Sequence, residues 1–304
     1  MLHVHELTKN RGGHLAVDHL TLRVEAGEVY GLLGPNGSGK TTTISMVCGL
    51  LPADGGTVRI EGGKGMGRPF GLATQEVACY RDLTPRENLR FFGRMQRMAK
   101  GPAAARADEL VALFRFGQYA DVPAGQLSGG WQRRLHVAIA FVSRPGLVVL
   151  DEPTAGLDVD ARMELWEVIR QVARKGAAIL VTTHDLGEAE RYCDRIGLLD
   201  QGRLAAEGTV SELRRRVPAA RVAEVESSDE PALLARAAEL GWEVRRNAGR
   251  LALLLPQVLE MTEVVDRFRG IPLTSLSIRE IGLEQIWVEV TCAARDRTAL
   301  ARAA

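Results

Sequence analysis

Residues 28–42 read Glu28-Val29-Tyr30-Gly31-Leu32-Leu33-Gly34-Pro35-Asn36-Gly37-Ser38-Gly39-Lys40-Thr41-Thr42. A short apolar strand runs into a loop that fits G-x-x-x-x-G-K-[ST], and a helix is expected from residue 40 to about residue 50. Glycines in such a loop let successive backbone N–H groups turn inward around phosphate oxygens, where side chains would obstruct them. The helix that opens at the end of the loop adds the positive end of its dipole. Lys40 is expected to reach the β- and γ-phosphates of a bound nucleotide, and Thr41 to offer its hydroxyl to magnesium. The stretch therefore predicts an α/β fold that holds Mg-ATP at the C-terminal edge of a parallel sheet.

Downstream, Leu147-Val148-Val149-Leu150-Asp151-Glu152 is a second apolar strand, ending in two acids. Asp151 is placed to hold magnesium, directly or through water. Glu152 is placed to orient or deprotonate an attacking water. Leu127-Ser128-Gly129-Gly130 precedes a helix on which Leu135, Ala138, Ile139 and Val142 share a face. A serine hydroxyl and two glycine amides at a helix N-terminus make an anion site, or simply a capped helix start. A chain with one phosphate loop has use for a second such site if it serves another molecule's nucleotide.

The pattern between these motifs sets the organisation. Residues 2–24 alternate polar and apolar, broken at Gly12-Gly13, as antiparallel strands do. Residues 52–63 are rich in turn signals, with a strand at 57–60. Residues 85–141 are helical in period, an insertion between two halves of a sheet. A helix over 160–175 stops at Gly176, and a strand follows over 178–182. Past Gly208 the order is β-α-β-β-α-β: strands at 220–226, 242–246, 251–255 and 273–278, and helices from Ser228 to Gly241 and over 258–268. Asn247-Ala248-Gly249 signals the hairpin. Two domains are predicted, 1–215 with a helical subdomain at about 84–142, and 216–304.

Composition excludes several classes. The 304 residues carry 46% hydrophobic and 25% charged side chains and a net charge of +1, which predicts no nucleic-acid partner. The N-terminus lacks the features of a signal peptide, and no apolar run approaches a membrane span. The chain is thus expected to be soluble, cytoplasmic, and to meet a membrane only through a partner. Cys48, Cys79, Cys193 and Cys292 show no paired spacing and read as small core residues in a reducing compartment.

Taken together, the phosphate loop, Leu127-Ser128-Gly129-Gly130, Leu150-Asp151-Glu152, Ala155-Gly156-Leu157-Asp158, His184 and Gln75 resemble, in order and spacing, the nucleotide-binding subunits of ATP-binding cassette (ABC) transporters over about residues 2–213. The resemblance implies a P-loop NTPase (RecA-like) core with an N-terminal antiparallel β subdomain and a helical signature subdomain. Outside the resemblance, the β-α-β-β-α-β order of the last region suggests a small C-terminal α+β, ferredoxin-like domain. The resemblance also implies an ATPase working as a dimer, with two Mg-ATP held head to tail. The nucleotide would contact Gly34, Pro35, Asn36, Gly37, Ser38, Gly39, Lys40, Thr41 and Thr42 in one chain and Ser128, Gly129 and Gly130 in the other. Asp158 would couple the two sites. Glu152 and His184 would be catalytic, His184 by contacting the γ-phosphate. Thr41, Asp151 and Gln75 would attend the magnesium, with Gln75 also sensing the transport subunit.

Residues 82–89 and the tail Gly282-Leu283-Glu284-Gln285-Ile286-Trp287 look like the ATP-binding proteins of ABC-2-type exporters. A separate membrane permease would be the partner, docking on Tyr80, Leu83, Phe91 and Met95. The second cassette is expected to be an identical chain. Two departures stand out. Arg11 occupies the place where the family usually stacks an aromatic ring on adenine, with His14 as a weaker substitute, and a guanidinium also lies flat on a base. Trp131 follows the signature where glutamine is common. The alternative is a soluble cassette ATPase of translation or DNA repair, but such proteins usually carry two cassettes or a long coiled coil, and this chain has neither.

Overall fold

The computed structural model describes residues 1–62, 70–247 and 250–291. Gly63, Ala248, Gly249 and Cys292, all used in the sequence reading, lie outside the described residues. The chain divides into two compact units, Met1–Thr209 and Val210–Ala304.

The first unit begins with β1 (Leu2–Arg11) and β2 (His14–Val24), an antiparallel pair. After β3 (Val29–Leu33) and α1 (Lys40–Val47), β4 (Gly55–Ile60) joins the other side of β1. The resulting three-stranded sheet has the order β2-β1-β4. The helix after the phosphate loop is shorter than expected, with Cys48 at its C-cap and Gly49 in the left-handed region at φ 66°.

A second sheet holds the site. It contains β3, β5 (Phe70–Ala73), and, after three helices, β6 (Leu147–Asp151), β7 (Ala178–Thr183), β8 (Arg195–Asp200) and β9 (Arg203–Gly208). The strand order is β5-β6-β7-β3-β8-β9, parallel through β8 and antiparallel at β9. β3, β6 and β7 are buried at every position. That is why they read as continuous apolar runs and not as alternation.

The inserted helices are α2 (Pro85–Met95), α3 (Lys100–Leu113) and α4 (Gly129–Ala140). Thr84 and Glu87 form a reciprocal capping box at the start of α2. Between the later strands, α5 (Val159–Arg174) and α6 (Leu186–Tyr192) are capped by Asp158 and Asp185. Buried Leu165, Trp166, Val168 and Ile169 lie on one side of α5, and Gly176 follows at φ 103°.

The second unit runs α7 (Val210–Arg214), β10 (Arg221–Ser227), α8 (Glu230–Glu239), β11 (Glu243–Asn247), β12 (Arg250–Leu255), α9 (Met261–Arg267) and β13 (Leu273–Glu280). Its sheet has the order β11-β12-β10-β13 with every neighbouring pair antiparallel. Leu233, Ala237, Val264 and Phe268 of the helical side pack on Ala223, Val225, Leu251, Leu253 and Leu255. The cap of α8 is Asp229 and not Ser228: its carboxylate accepts from the Ala232 N–H at 3.1 Å. A carboxylate at the N-terminus also meets the helix dipole, which a serine hydroxyl does not. The second helix starts three residues later than its apolar pattern, with Val258 exposed ahead of Glu260.

One packing contact bears on the site. At Gly71 in β5 a Cβ would stand 1.8 Å from the Ala140 carbonyl oxygen at the end of α4. The strand and the helix approach as closely as backbones can, and no side chain fits between them. Gly71→Ala is expected to cost about 3 kcal/mol or more, read as a lowered denaturant midpoint with an unchanged slope.

Candidate functional site

Level strand ends build the site. In the parallel sheet Ala73 pairs with Leu150, Asp151 with Thr182 and Leu33 with Thr183. The residues that follow therefore emerge at one edge: Gln75 after β5, Glu152 after β6, the Gly34 loop after β3 and His184 after β7.

The loop has the shape its motif requires. Gly39, the N-cap of α1, sits at φ 108°, and a Cβ there would meet the Ala16 carbonyl oxygen at 2.4 Å. Only glycine serves at that position. Lys40 is buried and donates to the carbonyl oxygens of Gly34 (2.6 Å) and Pro35 (3.1 Å). Burial lowers its pKa, and the charges of Glu152 and Asp151 pull it part of the way back. The Ser38 hydroxyl is buried without a hydrogen-bond partner. An orphaned hydroxyl beside a buried ammonium is what a phosphate oxygen would satisfy, so the loop fits a nucleotide's phosphates.

Asp151 is buried at the end of β6. The Thr182 hydroxyl donates to its Oδ1, and Thr182 receives the Glu152 N–H at 3.1 Å on both its carbonyl and its hydroxyl oxygen. Glu152 itself is held at φ 47°. A non-glycine residue in that region costs about 1–3 kcal/mol and persists where its surroundings over-determine it. The turned backbone aims Glu152 at His184, whose Nδ1 lies 3.1 Å from Oε1. The carboxylate is largely covered and the imidazole is open to solvent. The two residues read as catalytic are thus in contact. No cluster of three or more His, Cys, Asp or Glu able to hold a metal ion occurs among the described residues. A magnesium ion here would take Thr41, Asp151 and phosphate oxygens, as is usual for this cation.

The other predicted residues stand apart. Ser128 caps α4, accepting from the Trp131 N–H at 3.5 Å, and is exposed with Gly129. Among the described residues no hydrogen bond joins this segment to the Gly34–Thr42 loop. Asp158 caps α5 through the Ala161 N–H at 2.8 Å. Arg11 is exposed at the end of the β1–β2 hairpin opposite His14. Trp131 packs against Tyr119 (4.6 Å between centroids) and Phe116 (5.7 Å), with the Arg134 guanidinium over its ring. Tyr80, Phe91 and Met95 are exposed and Leu83 is half-buried; Tyr80 and Phe91 meet edge to face at 4.7 Å. Cys48 and Cys193 are buried and Cys79 half-buried, and none of the three is in a disulfide.

Three residues of the site escaped the sequence reading: Thr182, Arg133 and His136. Arg133 donates to the Gln75 carbonyl oxygen at 2.6 Å, and burial lowers its pKa against the pull of Glu152 and Asp151. Nothing local in the sequence marks any of the three, because their partners lie 30 to 62 residues away.

Comparison with known proteins agrees with this geometry. The family model described as ABC transporter matches residues 17–155. The chain is 40% identical over 257 residues to the daunorubicin/doxorubicin resistance ATP-binding protein of Streptomyces peucetius, covering 81% of this chain and 78% of that protein. It is 36% identical over 295 residues to a Nod factor export ATP-binding protein I of Burkholderia orbicola, covering 93% and 94%. Among solved structures, an ATP-binding subunit of an ABC transporter superposes with a TM-score of 0.63 at 32% identity, over 71% of this chain and 92% of that one. A bacterial ABC transporter cassette solved as a dimer gives 0.61 at 25%, over 69% and 98%.

Thr182→Val removes the hydroxyl shared by Asp151 and the Glu152 amide. Turnover is expected to fall about tenfold or more, and the magnesium concentration for half-maximal rate to rise, in a coupled phosphate-release assay titrated with Mg2+.

Proposed function

This chain belongs to the ABC transporter family, as an ATPase and ATP-binding subunit of the export and resistance type, and we propose that two copies of it close around two Mg-ATP to drive a separate membrane permease. The contact between Glu152 and His184 at the open edge, beside the buried Lys40, carries the reading. The Gly34–Thr42 loop would hold the phosphates, with Lys40 turning from the Gly34 and Pro35 carbonyls to the β- and γ-oxygens. Thr41 and Asp151 would hold magnesium, with Gln75 beside them; the bound metal supplies charge neutralisation on the transferring phosphoryl group. Glu152 would orient or deprotonate the attacking water, and His184 would contact the γ-phosphate while fixing the Glu152 carboxylate.

The exposed Ser128-Gly129-Gly130 segment supports a composite site. Ser128 and Gly129 are exposed and Gly130 is half-buried, no Cβ contact crowds Gly129, and the dimeric cassette among the solved structures shares this fold. Ser128, Gly129 and Gly130 would then touch the γ-phosphate of the second chain's ATP, and Asp158 would couple the two sites. Exposed Tyr80 and Phe91, in edge-to-face contact, and exposed Met95 one turn further along α2 offer apolar surface that suits a permease helix. No helix among the described residues is long and apolar enough to cross a membrane, so the subunit would sit at the inner membrane face through that permease.

The two-domain organisation, 1–215 and 216–304, belongs to the same proposal, although the compact units divide slightly earlier, after Thr209. The first domain we read as a RecA-like core with its β and helical subdomains. The second we read as ferredoxin-like, on the strength of its β-α-β-β-α-β order and the antiparallel sheet β11-β12-β10-β13.

Glu152→Gln is expected to lower kcat about a hundredfold or more. Light scattering should find the variant dimeric in Mg-ATP and monomeric without it. A protein that stays monomeric while saturated with Mg-ATP would overturn the composite site. Arg11→Ala is expected to weaken ATP about fivefold and to leave tripolyphosphate binding unchanged, by titration calorimetry.

A further inference from the structure

The signature helix α4 carries two side chains that reach back to the segment holding Gln75. His136 is 4% exposed and enters from one turn below Arg133, on the same face. Its Nε2 lies 3.1 Å from the Thr74 carbonyl oxygen and 3.4 Å from the Thr74 hydroxyl. Its Nδ1 lies 3.2 Å from both the amide nitrogen and the carbonyl oxygen of Ala78. One protonation state satisfies both ends: Nε2–H donates to the Thr74 carbonyl, and the Nδ1 lone pair accepts the Ala78 N–H. A single ring thereby ties the two ends of the loop that has Gln75 near its start. Arg133 holds the middle, donating to the carbonyl oxygens of Gln75 (2.6 Å) and Thr74 (3.3 Å). Gln75, Glu76, Val77 and Ala78 are otherwise exposed, so most of what positions this segment comes from α4. The strand before it is pressed against the far end of the same helix, where Gly71 meets Ala140.

We propose that His136, assisted by Arg133, is a positioning residue for Gln75: it makes the 74–78 segment move as one body with α4, so that the helix presenting Ser128-Gly129-Gly130 also sets the place of Gln75. The proposal rests on the role given above to Gln75. An apolar side chain of similar size fills the same space and holds neither end. A glutamine, with one amide donor and one carbonyl acceptor, restores both.

The test uses the full chain and two readouts. Amide hydrogen exchange reports the tie without reference to activity. His136→Leu is expected to speed exchange over residues 74–80 about tenfold, with α2 unchanged. Steady-state kinetics report the consequence: kcat falls about tenfold while KM for ATP stays within about twofold. His136→Gln recovers slow exchange and most of kcat. In a Gln75→Ala background, His136→Leu adds no further loss of kcat, because it acts through the residue already removed. Arg133→Met gives the same pattern and serves if the leucine variant does not fold. Unchanged exchange overturns the tie. Losses that glutamine does not rescue, or that multiply with those of Gln75→Ala, overturn the positioning role. A wild-type chain with slow exchange but no ATP turnover overturns instead the function on which the proposal rests.

Discussion

Parallel pairing of Leu33 with Thr183 and of Asp151 with Thr182 brings three strand ends level at the open edge of one sheet. Every polar group of the site depends on that register. A slip of one residue in a parallel sheet would turn each strand's side chains to the opposite face and separate Thr182 from both acids. The register is secured by complete burial: β3, β6 and β7 have no exposed position, so any slip would drive apolar side chains toward water or backbone amides out of pairing. The hydroxyl of Thr182 then does what a longer side chain could not. It orients Asp151 and, with its own carbonyl, holds the Glu152 amide at 3.1 Å, fixing the left-handed turn that aims Glu152 at His184.

Charge at this edge is arranged to be incomplete. Lys40 is buried and Arg133 half-buried, and burial lowers both pKa values while Asp151 and Glu152 partly offset it. Two cations facing two carboxylates look balanced, yet Lys40 bonds only to backbone carbonyls and Ser38 has no partner. Burying a charge with weak partners is expensive. Polyphosphate with its metal would supply acceptors to Lys40 and Ser38 and a cation to Asp151. The loop is thus preorganised for an anion, which is the economical way to stabilise developing charge on a phosphoryl group.

Much of this was legible in the sequence, for physical reasons that also mark its limit. Gly34 to Thr42 could be read because phosphate chemistry restricts the residue at nearly every position of the loop. Leu147 to Leu150 could be read because a doubly covered strand admits only apolar residues. Contacts made across the chain left no such mark. His136 sits among apolar neighbours of α4 as any core residue would, and its partners Thr74 and Ala78 are distant in sequence. Thr182 reads as one more β-branched strand residue. Even local chemistry was ambiguous by one position where two caps compete: Ser228 and Asp229 both suit a helix start, and the carboxylate takes it. Exposure was harder still. Tyr80, Phe91 and Met95 are open while Leu83 is half-buried, with its carbonyl taken by Asn88 and Ala124.

The phosphate loop looks complete in sequence, and under the proposed function it is one half of a site. Ser128 and Gly129 are exposed at the start of a helix that is tied on one face to Thr74, Gln75 and Ala78 and, through Ala140, to Gly71, and elsewhere to Phe114 and Glu164 through Arg134. A 12-residue helix is about 18 Å long and, packed at interior density, does not flex along its length. A displacement imposed at its exposed N-terminus must therefore appear at its anchored face. Under the proposed function, that N-terminus meets the second chain's nucleotide and the anchored face carries Gln75 of its own site. Coupling between two nucleotides would then need no long relay: a rigid rod with one end exposed and the face carrying Arg133 and His136 tied to the Gln75 segment is sufficient. The exposed signature, the buried imidazole and the glycine contact are three parts of that one device.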